Sequence, residues 1–243
     1  MLKAFLEGLL DLVFPRHCCA CGKISDQSLC VSCFSRSEYL SPPFCRRCGI
    51  PMEQAGLCDD CSIRNPSYEK AMSACSYEGV TRKAVISLKF RHNQDLAPIL
   101  ALLMMKRLQQ EGGLPRIDCL VPVPLSQAGE KQRGFNQAFL LAAPISEALH
   151  IPIRQDILRK KRETSSLKKL ARKERFLTVS GSFELIDGNA LKGATVLLID
   201  DIMTTGATLE ECAATLKQGG ALGVFCLTLA RTLPHRHRDI LHS

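Results

Sequence analysis

The sequence predicts an α/β fold built on a parallel sheet, preceded by a small cysteine-rich metal module. Three observations point there. Eight cysteines fall into four C-x-x-C pairs between residues 18 and 61. From residue 71 onward, short apolar runs of strand length alternate with amphipathic segments of helix length, the pattern of a parallel sheet with crossover helices. One of those runs, VLLIDD at 196–201, ends in two adjacent carboxylates followed by a threonine–glycine loop.

The chain has 243 residues, enough for one large domain or a domain with a small module. Its formal charge of +8 permits an acidic partner without naming one. Trp is absent and only three Tyr are present, which disfavours a broad aromatic platform for stacking bases. Residues 1–15 form the first segment. Leu2, Phe5, Leu6, Leu9, Leu10 and Val13 line one helix face, and Pro15 closes it. Lys3, Glu7 and Asp11 interrupt the run, so it is neither a membrane span of about 20 apolar residues nor a signal-peptide core. A helix packed on its own protein is expected, with a membrane-surface or partner helix as the weaker alternative, and the chain is placed in the cytoplasm.

The second segment, 16–64, holds the pairs Cys18/Cys21, Cys30/Cys33, Cys45/Cys48 and Cys58/Cys61. Each pair offers two thiolates to one side of a tight turn, so the eight ligands suit two closed four-cysteine zinc sites. A disulfide framework competes, but it belongs to exported chains, and the total of 13 cysteines is odd. Consecutive pairing closes the shorter loops: Cys18, Cys21, Cys30 and Cys33 on one Zn2+, and Cys45, Cys48, Cys58 and Cys61 on the other. An interleaved arrangement satisfies the spacing as well, and Cys19 competes with Cys18. Such a small segment buries little core, so metal binding supplies much of its folding energy. Cys75, Cys119, Cys212 and Cys226 lie in apolar contexts and read as packing residues.

The third segment, 65–243, carries the sheet. AMSACSY at 71–77 reads as a strand; GVTRKAVISLKF and NQDLAPILALLMMKRLQQ read as helices; CLVPVPLS is a strand running into a proline-fixed loop. A helix begins near Asn136, with Pro144 as a kink. ATVLLIDD is a buried strand, ATLEECAATLKQGGA a helix ended by glycines, and LGVFCLTLART a strand. Ligands of such sheets sit beyond the carboxyl ends of the strands. Asp200 and Asp201 are expected to leave the strand as it meets solvent. Thr204, Thr205, Gly206, Ala207 and Thr208 then wrap into a helix start, whose free N–H groups favour a phosphate. Carboxylates suit hydroxyls, or a Mg2+ ion bridging to the ligand. A ribose 5-phosphate has both ends.

VLLIDDIMTTGATLEE resembles the phosphoribosyl-pyrophosphate (PRPP) signature of type I phosphoribosyltransferases. The resemblance implies that Asp200 and Asp201 hold the ribose hydroxyls and that Thr204–Thr208 hold the 5-phosphate. VPVPLS followed by RGFNQA at 133–138, behind a cysteine-rich zinc ribbon, is similar to the ComF family of competence and DNA-utilisation proteins over nearly the whole chain. The implied fold is a type I phosphoribosyltransferase-like parallel sheet with an N-terminal zinc-ribbon module. The loop Pro122, Val123, Pro124, Leu125 and Ser126 is implied to face pyrophosphate, with Arg133 and Asn136 as polar contacts or ordinary helix-start residues.

Residues 154–175 hold ten Lys or Arg and three acids. In type I transferases this region is a mobile basic lid. Arg159, Lys160, Lys161, Arg162, Lys168, Lys169, Arg172, Lys173 and Arg175 exceed what one pyrophosphate needs, and the ComF resemblance assigns the surplus to single-stranded DNA. A solvated charged face is the competing reading. Arg46, Arg47 and Arg64 add charge near the metal ligands. The resemblance further implies competence or helicase-type partner proteins. Relatives often carry Gln near Leu167, in a pattern like T-x-x-Q-x-x-L; TSSLKKL here departs from it, which weakens a transferase activity. Two functions stand: a PRPP- and DNA-binding protein of DNA uptake, or an active amidophosphoribosyltransferase-like enzyme with an unknown acceptor. A zinc-mediated assembly scaffold is a weaker third.

Overall fold

A computed structural model describes residues 15–161, 181–187 and 191–234. The predicted N-terminal helix therefore lies outside the described residues, as do Arg162, Lys168, Lys169, Arg172, Lys173 and Arg175.

Two short helices, α1 (Val31–Phe34) and α2 (Asp59–Arg64), each carry the last cysteine of a C-x-x-C cluster. They are followed by β1 (Lys70–Ser76), α3 (Gly79–Phe90), α4 (Leu96–Gln109), β2 (Cys119–Pro122), α5 (Gln127–Arg133) and α6 (Gln137–Leu149). Then come β3 (Leu158–Lys160), β4 (Phe183–Leu185), β5 (Thr195–Met203), α7 (Ala207–Gln218) and β6 (Gly223–Arg231). Strands β1-β6-β5-β2 form one parallel sheet in that order, and β3 and β4 pair as a separate antiparallel ribbon.

The sheet is buried on both faces, which explains why its strands read as near-continuous apolar runs. Along β5, Leu197 and Ile199 face the side of α3, α4 and α6, where they join Leu88, Leu100, Leu141 and Ile145. Val196 and Leu198 face the other side, with Leu209, Ala213 and Leu216 of α7. Cys75, Cys119, Cys212 and Cys226 are all buried in this core. Pro144 sits inside α6, which continues through it.

The cysteine module lies along the edge of β1. Leu40 N donates to Ala74 O (3.1 Å), Ser76 N to Glu38 O (2.7 Å) and Ala71 N to Arg47 O (2.7 Å). Glu38 also accepts from Val80 N and Thr81 N, satisfying first-turn donors of α3.

One expectation is corrected. β5 runs on to Met203, so Asp200 and Asp201 do not leave the strand at solvent; they are 9% and 3% exposed. The reason is pairing: β6 continues beside them, with Asp200 opposite Thr228 and Met203 opposite Arg231.

Candidate functional site

The acid pair stands near the carboxyl end of a central strand, held by one internal hydrogen bond and two neighbours from other elements. Asp201 N donates to Asp200 Oδ1 (2.8 Å). Gln137 Nε2, at the start of α6, donates to Asp201 Oδ1 (3.4 Å). Lys89, near the end of α3, forms an ion pair with Asp201 Oδ2. Burial pushes the Asp200 carboxyl well above its ordinary range, and the charge of Asp201 adds to this while Lys89 opposes it.

Sequence reasoning missed Lys89. A lysine in the last turn of a helix is the ordinary complement of the helix dipole, and nothing local marks it as the partner of a distant strand. Arg133 enters the same chain of contacts: its Nη1 donates to Gln137 Oε1 (2.8 Å), the other end of the amide that holds Asp201.

Beyond the acids, Thr204 is exposed and Thr205 half-buried. Gly206 occupies the N-cap of α7 at φ +82°, a conformation few side chains adopt. It leaves no side chain over the first turn of α7, where backbone donors are directed out of the helix. Thr205 Oγ1 accepts weakly from Ala207 N (3.4 Å).

The predicted pyrophosphate loop is tied down at both ends. Val123 N donates to Ile199 O (2.9 Å), and Val123 O accepts from Asn136 Nδ2 (3.0 Å). Asn136 Oδ1 caps α6 by accepting from Ala138 N (2.9 Å), so one side chain serves both the loop and the helix start. Ser126 Oγ caps α5 by accepting from Gly129 N (3.2 Å). Pro124 and Leu125 share a cavity of about 260 Å³ with Arg159 and Lys160 of β3, so the loop and the beginning of the basic segment face one space. Arg159 and the adjacent Lys161 are already engaged: Arg159 Nη2 and Lys161 Nζ both pair with Glu184, at 2.6 and 2.9 Å.

The acids do not form a magnesium cage. Asp201 is committed to Lys89 and Gln137, and one oxygen of Asp200 accepts a backbone N–H. Among the described residues, the clusters able to hold a metal are two sets of cysteines.

Those sets are Cys18, Cys21, Cys30, Cys33 and Cys45, Cys48, Cys58, Cys61, the consecutive grouping, with Cys18 rather than Cys19. Within each, the ligand atoms lie within 4.8 Å of one another. Tetrahedral zinc–thiolate bonds of ~2.3 Å place sulfurs ~3.8 Å apart. The Cys21–Cys30 and Cys48–Cys58 sulfurs stand at 3.9 and 3.7 Å. Backbone N–H groups of Cys30 and Cys58 donate to Cys18 and Cys45 Sγ (3.4 and 3.3 Å). Burial raises the Cys18 thiol, yet this and other backbone donors outweigh it and hold the group at about 6; burial pushes the neighbouring Cys19 up to about 11. The donor set therefore fits two structural zinc ions.

Comparison with known proteins finds two family matches along the chain. Residues 9–62 match the double zinc ribbon domain, and residues 136–240 match the phosphoribosyl transferase domain. The chain is 28% identical over 229 residues to DNA utilization protein YhgH of Escherichia coli (strain K12), covering 91% of this chain and 100% of that protein. It is 30% identical over 223 residues to competence protein F of Haemophilus influenzae, covering 88% and 95%. It is 30% identical over 214 residues to competence protein ComFC of Bacillus subtilis (strain 168), covering 85% of each. Among solved structures it is similar to an allosteric regulatory enzyme of purine biosynthesis, with 19% identity and a TM-score of 0.36, over 56% of this chain and 26% of that one.

Proposed function

Because this chain belongs to the ComF family, a double zinc ribbon joined to a phosphoribosyltransferase domain, we propose that it binds PRPP and single-stranded DNA in DNA uptake or utilisation. The observation that carries the PRPP half is the acid pair, buried near the end of β5 and followed within a few residues by the glycine-capped start of α7. Asp200 and Asp201 accept from the ribose hydroxyls. The first-turn N–H groups of α7, with Thr204, Thr205 and Thr208, take the 5-phosphate. Mg2+ arrives with the pyrophosphate oxygens and neutralises charge there, since the described carboxylates make no cage for it. Lys89 and Arg133 stand nearby as counter-charges, and Pro122–Ser126 with Arg159 and Lys160 receive the pyrophosphate.

Calorimetric titration of PRPP with Mg2+ tests this. Wild type binds; Asp200→Asn/Asp201→Asn does not. A wild-type protein that releases no binding heat and shows no protection by PRPP would end the reading.

The DNA half rests on the charge of residues 154–175 and on the DNA-utilisation and competence names of the relatives. Fluorescence titration with a single-stranded oligonucleotide at low salt is its test, and absence of binding there sinks it. The intact loop also supports transferase turnover with an unidentified acceptor. Pyrophosphate release across a panel of bases and amines decides that, and any acceptor-dependent turnover promotes it.

A further inference from the structure

The two cysteine clusters look alike, but their surroundings differ. A divalent ion held by four thiolates carries a net charge of about −2, which an interior position cannot leave unbalanced. At the first cluster the cation that touches a ligand sulfur is local and solvent-facing: Arg36 Nη2 donates to Cys33 Sγ (3.3 Å) from three residues away. At the second, Arg64 of α2 lines the same cavity as Cys61 and is ion-paired with Asp60, and a further cation comes from the far end of the chain. Arg231, the last residue of β6, donates from Nη1 to Cys48 O (2.6 Å) across 183 positions. Arg231 is 4% exposed, its Nε has no partner, and among the described residues no carboxylate forms an ion pair with it.

A buried guanidinium without a carboxylate needs an anion nearby. Arg231 also borders the 200–208 loop: it lies opposite Met203 in the sheet, and Thr232 N donates to Met203 O (3.0 Å). A cavity of about 180 Å³ is lined by Cys48 and Cys61, by Thr205 and Gly206, and by Arg231. Its two carboxylates are engaged elsewhere: Glu210 accepts from Ser67 Oγ (2.6 Å), and Asp60 pairs with Arg64 (3.7 Å). The first cluster instead packs against α3 through Lys83 Nζ on Ala20 O (2.8 Å) and beside α4 through Ser28 Oγ on Asn93 Oδ1 (3.0 Å).

We propose that Arg231 is the counter-ion of the second zinc–tetrathiolate centre, and that this centre positions the phosphate loop through it while the first does not. Arg231 is thus a positioning residue. The loop's role in PRPP binding is taken from the preceding reading, but the coupling between metal and loop does not depend on it.

The experiment uses the full chain and two readouts: zinc retained against a chelator, and amide exchange of the backbone from 203 to 210. Arg231→Met keeps all eight thiols. It is expected to weaken retention of one zinc by about tenfold or more, and to speed loop exchange by a similar factor. Arg231→Lys restores most of both. Cys61→Ser loses one zinc and speeds loop exchange; Cys33→Ser loses one zinc and leaves the loop as it was. Unchanged zinc retention in Arg231→Met overturns the proposal, as does equal loop disturbance in Cys33→Ser. If Cys61→Ser does not fold, the Arg231 pair decides alone. A wild type that fails to bind PRPP would remove the functional reading and leave this result standing.

Discussion

Lys89 and Asp201 join two elements distant in sequence: the ammonium at the end of α3 is ion-paired with the buried carboxylate near the end of β5. The lysine side chain is 16% exposed and the aspartate 4%, so the pair lies largely outside solvent. Lys89 holds the carboxylate in place.

Lys89→Met should therefore leave a buried carboxylate uncompensated. A destabilisation of about 3 kcal/mol is expected, at the lower end for a broken buried pair because the lysine retains some solvent. Urea unfolding of Lys89→Met, Asp201→Asn and the double variant measures it. The double variant should lose less than the sum of the singles.

Asp200 predicts a pH dependence. Its folded-state carboxyl titrates well above the ordinary 3.8, so the folded protein binds this proton more tightly than the unfolded chain. The associated stability is fully present below the ordinary value and is lost as pH rises through the raised one. Asp200→Asn removes the titration. It should flatten the fall in unfolding midpoint on the alkaline side of the ordinary carboxylate range, and be more stable than wild type at the upper end. PRPP binding should weaken in the same variant.

Gly206→Ala tests the loop. An added Cβ would come within 2.8 Å of Met203 Cε, a flexible end that can shift, but φ +82° remains. A cost of about 1–2 kcal/mol is expected from the backbone alone. Calorimetry should show weakened PRPP binding, with zinc content unchanged.

Salt dependence tests the basic segment. Replacing Lys160, Lys161, Lys168 and Lys169 by Ala should lower the slope of log affinity against log salt by about 0.7 for each phosphate no longer neutralised. Lys161 already pairs with Glu184, so part of its charge is engaged within the protein. An unchanged slope would assign the segment to a solvated face.

Much of this architecture is legible from local pattern. Gly79–Phe90 reads as a helix by periodicity and is α3 in the structure, and the parallel strands follow from their apolar runs. The grouping of eight cysteines follows from loop length. What escapes is polar or distant. Gln127–Arg133 is helical but has no apolar face and a glycine inside it. The β3–β4 ribbon is a three-residue pairing across a long interval of chain, with Arg159 opposite Glu184. The burial of Asp200 and Asp201 depends on β6 continuing beside them, and no window around the acids contains that information. Lys89 and Arg231 matter through partners on other elements.

The contact between the cysteine module and β1 has a practical meaning. With Leu40, Glu38 and Arg47 removed, Ala71, Ala74 and Ser76 would present a row of open backbone donors and acceptors on a sheet margin. Such a margin is a template for strand addition from a second chain. A fragment beginning near residue 65 should consequently self-associate or precipitate rather than behave as an isolated domain. The cysteine module thus covers the margin of the sheet beside it, and the two halves are best expressed as one chain.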